Sequence, residues 1–294
     1  MNRETNPQSV SAAGKNIVTW LTVLQFVSLL SAAAYLVLAL LPGTANAAAF
    51  GGLPRPFTLG LSAFQLVSAL VYFLVLHWTK GWMTNVRLWA TGEGAPNRAA
   101  VARERRTLGG WIVFGQWFPL LALLIALPLT YFAFGQIDPA LFDSPALSDA
   151  NLAPEQVRAL AQVSIVVTLV AFGLPSFLIN YAVLGWIRRW MTGVSDALLG
   201  EAPPRETRLP ELAATLSRWF TFFQALLVVF ILFILVTPLL PSQAGANVLT
   251  ERLNLLVSFL SLALWVALLQ WSKVFLAGVT PRARSEQARL TDHA

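Results

Sequence analysis

The 294 residues are 56% hydrophobic and only 12% charged, about half the charge of a soluble domain, which leaves too little polar surface to cover a globule in water and favours the membrane class. The net charge of +6 lies beside apolar runs, so it suits anionic lipid headgroups at the cytoplasmic face, and nucleic acid is not expected as a partner. The chain has no cysteine, and its two histidines are His77 and His293, which excludes thiol and iron–sulfur chemistry and leaves too few ligands for zinc or bis-histidine haem. No cofactor or metal is expected.

Six apolar stretches are long enough to cross a hydrocarbon core, which needs about 20 helical residues. They are 17–41, 58–79, 111–134, 163–186, 219–240 and 253–276. Each run is continuous rather than alternating, which favours helices that satisfy their own backbone in lipid over a barrel. The first follows Arg3 and Lys15 and precedes Ala45-Asn46-Ala47, a sequence similar to a signal-peptidase site. Its apolar run exceeds the roughly 7–15 residues of a signal peptide, so it reads as a retained helix. Between the third and fourth runs lies an acidic loop with Asp138, Asp143, Asp149 and Glu155, and Pro154 is placed to start a short surface helix.

The basic residues alternate from loop to loop. Seventeen Lys and Arg fall at the N-terminus, in the second and fourth loops and at the C-terminus, against three (Arg55, Arg158 and Arg252) in the other loops. This bias orients both termini to the cytoplasm. The run Arg98–Arg106, interrupted by Glu104, reads as a solvated loop on that side.

The stretch from Trp78 to Gln116 recurs without a gap from Trp186 to Gln224. Trp82-Met83-Thr84, Gly92-Glu93 and Trp111 return as Trp190-Met191-Thr192, Gly200-Glu201 and Trp219. Weaker half-copies occupy both chain ends. Trp20 and Gln25 match Trp111/Gln116 and Trp219/Gln224, and Trp271, Lys273 and Phe275 match Trp78/Lys80/Trp82 and Trp186/Arg188/Trp190. The expected fold is all-α: a polytopic membrane protein of six transmembrane helices arranged as three repeated hairpins. It forms a single transmembrane domain over residues 1–294, with repeats near 15–90, 107–198 and 215–283. Parallel repeats imply a pseudo-three-fold bundle about the membrane normal.

The even helices carry Asn85-Val86, Gly193-Val194 and Gly278-Val279 at one spacing, and Asn, Gly and the later Pro281 predict helix stops there. Trp78, Lys80, Trp82, Trp186, Arg188, Trp190, Trp271, Lys273 and Phe275 are candidate interfacial or lipid-head contacts, since aromatics and bases gather at headgroup depth. Gln25, Gln116 and Gln224, with Ser68, Ser176 and Ser261, are candidates for a polar ring or for hydrogen-bonding glue between helices. Glue is the simpler reading, because Ser and Gln commonly join membrane helices.

No Asp, Glu, Lys or Arg lies in the centre of any apolar run, which removes the groups that proton- and ion-coupled transporters use. No phosphate loop, zinc-protease motif or nucleophile constellation is present, so an enzyme is not expected. Two functions fit. The favoured one is a non-catalytic structural or accessory subunit that docks onto a larger assembly, in the bacterial inner membrane. The alternative is a passive channel or carrier for a neutral or lipid-like solute along the pseudo-three-fold axis.

Overall fold

The computed structural model describes residues 6–40, 55–135, 154–201, 208–236 and 248–292. They form six α-helices: α1 Pro7–Leu40, α2 Arg55–Thr91, α3 Arg98–Gly135, α4 Pro154–Leu199, α5 Leu209–Val236 and α6 Val248–Asp292. Each contains a window long and apolar enough to cross a membrane. The Ala45-Asn46-Ala47 site and Asp138, Asp143 and Asp149 lie outside the described residues.

The helices overrun the apolar stretches. α2, α4 and α6 have 37, 46 and 45 residues, where about 20 suffice to span. The stops expected at Asn85, Gly193 and Gly278 do not occur, and α6 also continues through Pro281. These residues serve packing instead. A Cβ at Gly278 would overlap the Val10 side chain of α1, and the Asn85 amide donates within its own helix to the Gly81 carbonyl at 3.0 Å. α2 and α4 end at Gly92 and Gly200, with φ of 73° and 75°. At Gly200 the Glu201 N–H donates to the Asp196 carbonyl at 2.9 Å, the six-residue closure of a Schellman turn. Glycine alone adopts this φ without strain.

Helix starts follow ordinary capping. The Asn6 side chain accepts from the Gln8 N–H at 3.0 Å ahead of Pro7, and Asn97 accepts from the Ala100 N–H at 3.0 Å. Asn97 therefore begins a helix where a solvated loop is expected. Within it Val101, Glu104 and Leu108 are buried, and their spacing of three and four places them on one face. Pro154 opens one helix that continues to Leu199 rather than a separate surface helix.

The chain divides into two compact units. One comprises Met1–Gly109 with Arg189–Ala294, the other Gly110–Arg188. In the first, α1 packs along α2 and α5 along α6, and α6 also meets α1 and α2. Its most fully buried side chains sit in the charge-bearing helix ends, and the apolar runs add a narrower buried seam at Ile17, Leu21, Ala32 and Leu76. Val86, Val101, Val194, Leu209 and Val279 are completely buried, and Val10 is nearly so, one residue from each helix. Along the apolar runs of this unit large side chains stay uncovered: Phe26 is 65% and Val229 61% exposed. Hydrophobic burial requires water, and lipid supplies no such drive between apolar helices. The distribution suits helix ends in water and spans in lipid.

The second unit is one helical hairpin. Trp117 of α3 meets Phe177 and Tyr181 of α4, with ring centroids 6.1 and 5.4 Å away. A Cβ at Gly173 would press on Leu123, so a small residue sets the close approach of the two helices.

Candidate functional site

Each of the three glutamines bridges the two helices of its own hairpin. Gln25 Nε2 donates to the Phe73 carbonyl at 3.4 Å, Gln116 to Tyr181 at 3.0 Å and Gln224 to Val266 at 3.0 Å. Each acceptor lies five residues before Trp78, Trp186 or Trp271. Gln25 and Gln116 are buried and Gln224 is half-buried. A helix carbonyl retains a lone pair beyond its helical bond, so these acceptors need no break in the helix.

In two hairpins a lysine completes the bridge. Lys80 Nζ donates to Gln25 Oε1 at 3.5 Å, and Lys273 Nζ to Gln224 Oε1 at 3.1 Å. Gln224 also reaches Gln270 Oε1 at 3.4 Å. Lys80 lies seven residues, about two turns, after Phe73, so its side chain reaches back along α2 toward the apolar run. Both lysines are half-buried, whereas Arg188, at the corresponding place in α4, is exposed.

The serines do not share the environment of the glutamines. Ser68 is half-buried, and Ser176 and Ser261 are exposed. Two other serines, Ser28 and Ser62, are buried in the first unit. Ser28 donates to the Ala69 carbonyl.

The aromatic candidates divide by position. Trp78, Trp186 and Trp271 are half-buried. Trp82, Trp190 and Phe275 are 4%, 5% and 2% exposed and belong to the core of the first unit rather than to a rim. Trp82 Nε1 donates to Ser195 Oγ of α4 at 2.9 Å, and Trp190 Nε1 to Thr280 Oγ1 of α6 at 3.1 Å. Their rings meet edge to face at 6.0 Å. A buried indole N–H needs such an acceptor, which is why Trp82 faces α4 and Trp190 faces α6 instead of lipid.

Asp196 and Gln287, buried in this core, carry no sequence signal of their own. Arg105 pairs with the buried Asp196, and with Glu201 at 3.0 Å. Gln287 donates to the Gly193 carbonyl at 3.1 Å. Arg282 covers the Trp89 ring at 5.3 Å and donates to the Ala90 carbonyl at 3.0 Å, which satisfies one of the free carbonyls ending α2. Glu93, just past that end, accepts from Ser11 and lies 3.8 Å from both Lys15 and Arg87. The Ser11 hydrogen bond, with help from the two cations, holds the Glu93 carboxyl below its usual range. Glu104 is 7% exposed, and its Oε2 has no hydrogen-bond partner among the described residues.

No cluster of three or more His, Asp or Glu able to hold a metal occurs among the described residues. Comparison of the chain with family models, with curated proteins and with solved structures yields no match.

Proposed function

We propose that the chain is a non-catalytic structural or accessory subunit of a larger membrane assembly, multi-pass in a bacterial inner membrane, with both termini cytoplasmic. The observation that carries this reading is the contrast along the spans. Their apolar side chains are left uncovered, Phe172 being 72% and Leu30 70% exposed, while their glutamines are engaged within each hairpin. Amides engaged in this way serve as joints between helices. Uncovered apolar helix faces suit docking against other membrane helices.

The same reading takes the three hairpins as copies of one repeat. It is supported by the three equivalent glutamine bridges and by the two tryptophan bonds, whose acceptors Ser195 and Thr280 stand five residues after Trp190 and Phe275. The cytoplasmic orientation rests on the charge bias, and a cysteine placed at Asn97 should resist an impermeant reagent in intact cells while one at Ser144 reacts. Affinity purification of the tagged protein in mild detergent tests the function. A stoichiometric membrane partner is expected. A homogeneous chain that copurifies with nothing, yet carries solute into liposomes, overturns the proposal.

A further inference from the structure

Lys80 and Lys273 are cations held where a cation is poorly served. Each is half-buried at the inner end of an apolar run and reaches back to a glutamine oxygen instead of out to water. An ammonium has three donors and a full charge. The amide oxygen satisfies one donor and supplies no counter-charge. Neither lysine forms an ion pair with any carboxylate among the described residues. Partly desolvated charge without a counter-ion is unfavourable, and long basic side chains ordinarily extend to avoid it. Here the ammonium instead lies against the glutamine, whose Nε2 donates to the carbonyl of Phe73 or Val266 and whose Oε1 accepts from the lysine.

We propose that Lys80 with Gln25, and Lys273 with Gln224, form two binding sites for the phosphate of an anionic phospholipid of the inner leaflet. This deepens the membrane reading above by naming the ligand and restricting the sites to two hairpins of three. The anion available at this depth is a lipid phosphate, and the two free ammonium donors match its oxygens with charge-assisted bonds. Exposed Phe26 and Leu74 follow Gln25 and Phe73 in sequence and offer apolar surface on the membrane side for the acyl chains. The hairpin with Gln116 forms no such site: its basic residue, Arg188, is exposed rather than half-buried.

The test is native mass spectrometry of the full-length protein titrated with phosphatidylglycerol in detergent, alongside circular dichroism to verify folding. Two tightly bound lipids are expected. Lys80→Gln and Lys273→Gln should each weaken one site at least about ten-fold, through loss of the charge and of its bonds to the phosphate, and the double variant should lose both. Lys80→Arg and Lys273→Arg retain charge and donors and should restore binding, which a merely structural role would not require. Arg98→Gln, at an exposed base opening α3 and not in contact with either glutamine, should change nothing. Excess inorganic phosphate should fail to displace the lipid. Retention of both lipids by a folded double variant overturns the proposal. So does displacement by inorganic phosphate, which would make the ligand a free anion. Loss of lipid from Arg98→Gln as from the lysine variants would reduce the effect to bulk charge and also overturn it. If lipid sites fail while a membrane partner still copurifies, the subunit reading stands alone.

Discussion

One substitution made in two places separates a chain held together at its aqueous ends from one held together in its spans. Val194 of α4 is completely buried, whereas Val229 of α5 is 61% exposed in the middle of an apolar run. Valine to alanine removes two carbons, worth about 0.8 kcal/mol each in transfer. At Val194 the space left between helices adds a cavity cost and brings the total to about 2 kcal/mol. At Val229 lipid fills the space, and the change should stay within about 0.5 kcal/mol, as for surface sites generally. Reversible unfolding in mixed micelles, followed by circular dichroism, measures both. Equal losses at the two positions, or a silent Val194→Ala, would refute the assignment of the core to the helix ends.

A double-mutant cycle between Trp82→Phe and Ser195→Ala should give a coupling of about 1 kcal/mol, the worth of a buried neutral hydrogen bond, set by the 2.9 Å indole contact; denaturant titration of the four proteins reads it. Gln116→Leu removes the 3.0 Å bond to Tyr181 and should cost at most about 1 kcal/mol, with copurification of a partner unchanged once folded protein is matched. Because the folded Glu93 carboxyl titrates below its unfolded value, its contribution is full above the unfolded pKa and is lost as pH falls through the folded one. Glu93→Gln should therefore lower the melting temperature at neutral pH and make no difference in acid well below the ordinary carboxylate range. A variant that melts below the native chain by the same margin in acid would contradict this.

What the sequence made legible was the part governed by lipid. An apolar run of twenty residues has few alternatives in a bilayer, so six helices follow from length alone. Val86, Val194 and Val279 each stand eight residues after Trp78, Trp186 or Trp271, a register visible in the sequence as well, and all three side chains are completely buried. The helix ends were less legible. Asn85, Gly193 and Pro281 look like breakers by local propensity, but burial of the following turns overrides a local cost of about 1–3 kcal/mol per residue. The run Arg98–Arg106 suggested a solvated loop because its charges dominate its composition. Val101, Glu104 and Leu108 already carried helical spacing, and the burial of that face required neighbours from other helices. Arg105 and Asp196 stand 91 positions apart, with no pattern in either neighbourhood to join them.

The placement of the core constrains how a membrane partner would bind. Lipid tails are as apolar as the exposed leucines and phenylalanines, so covering them gives little hydrophobic gain. Association through the spans would rest on shape, on close approach and on released lipid. The two kinds of surface should then separate in a mutational screen. Substitutions at Val86, Val194 or Val279, buried in the aqueous ends, should remove folded protein and partner together. Bulky changes at exposed span positions such as Leu30, Phe172 or Leu232 should leave the melt intact and affect only what copurifies. A screen in which every variant that loses the partner also loses stability would remove the reason for assigning the span faces to docking.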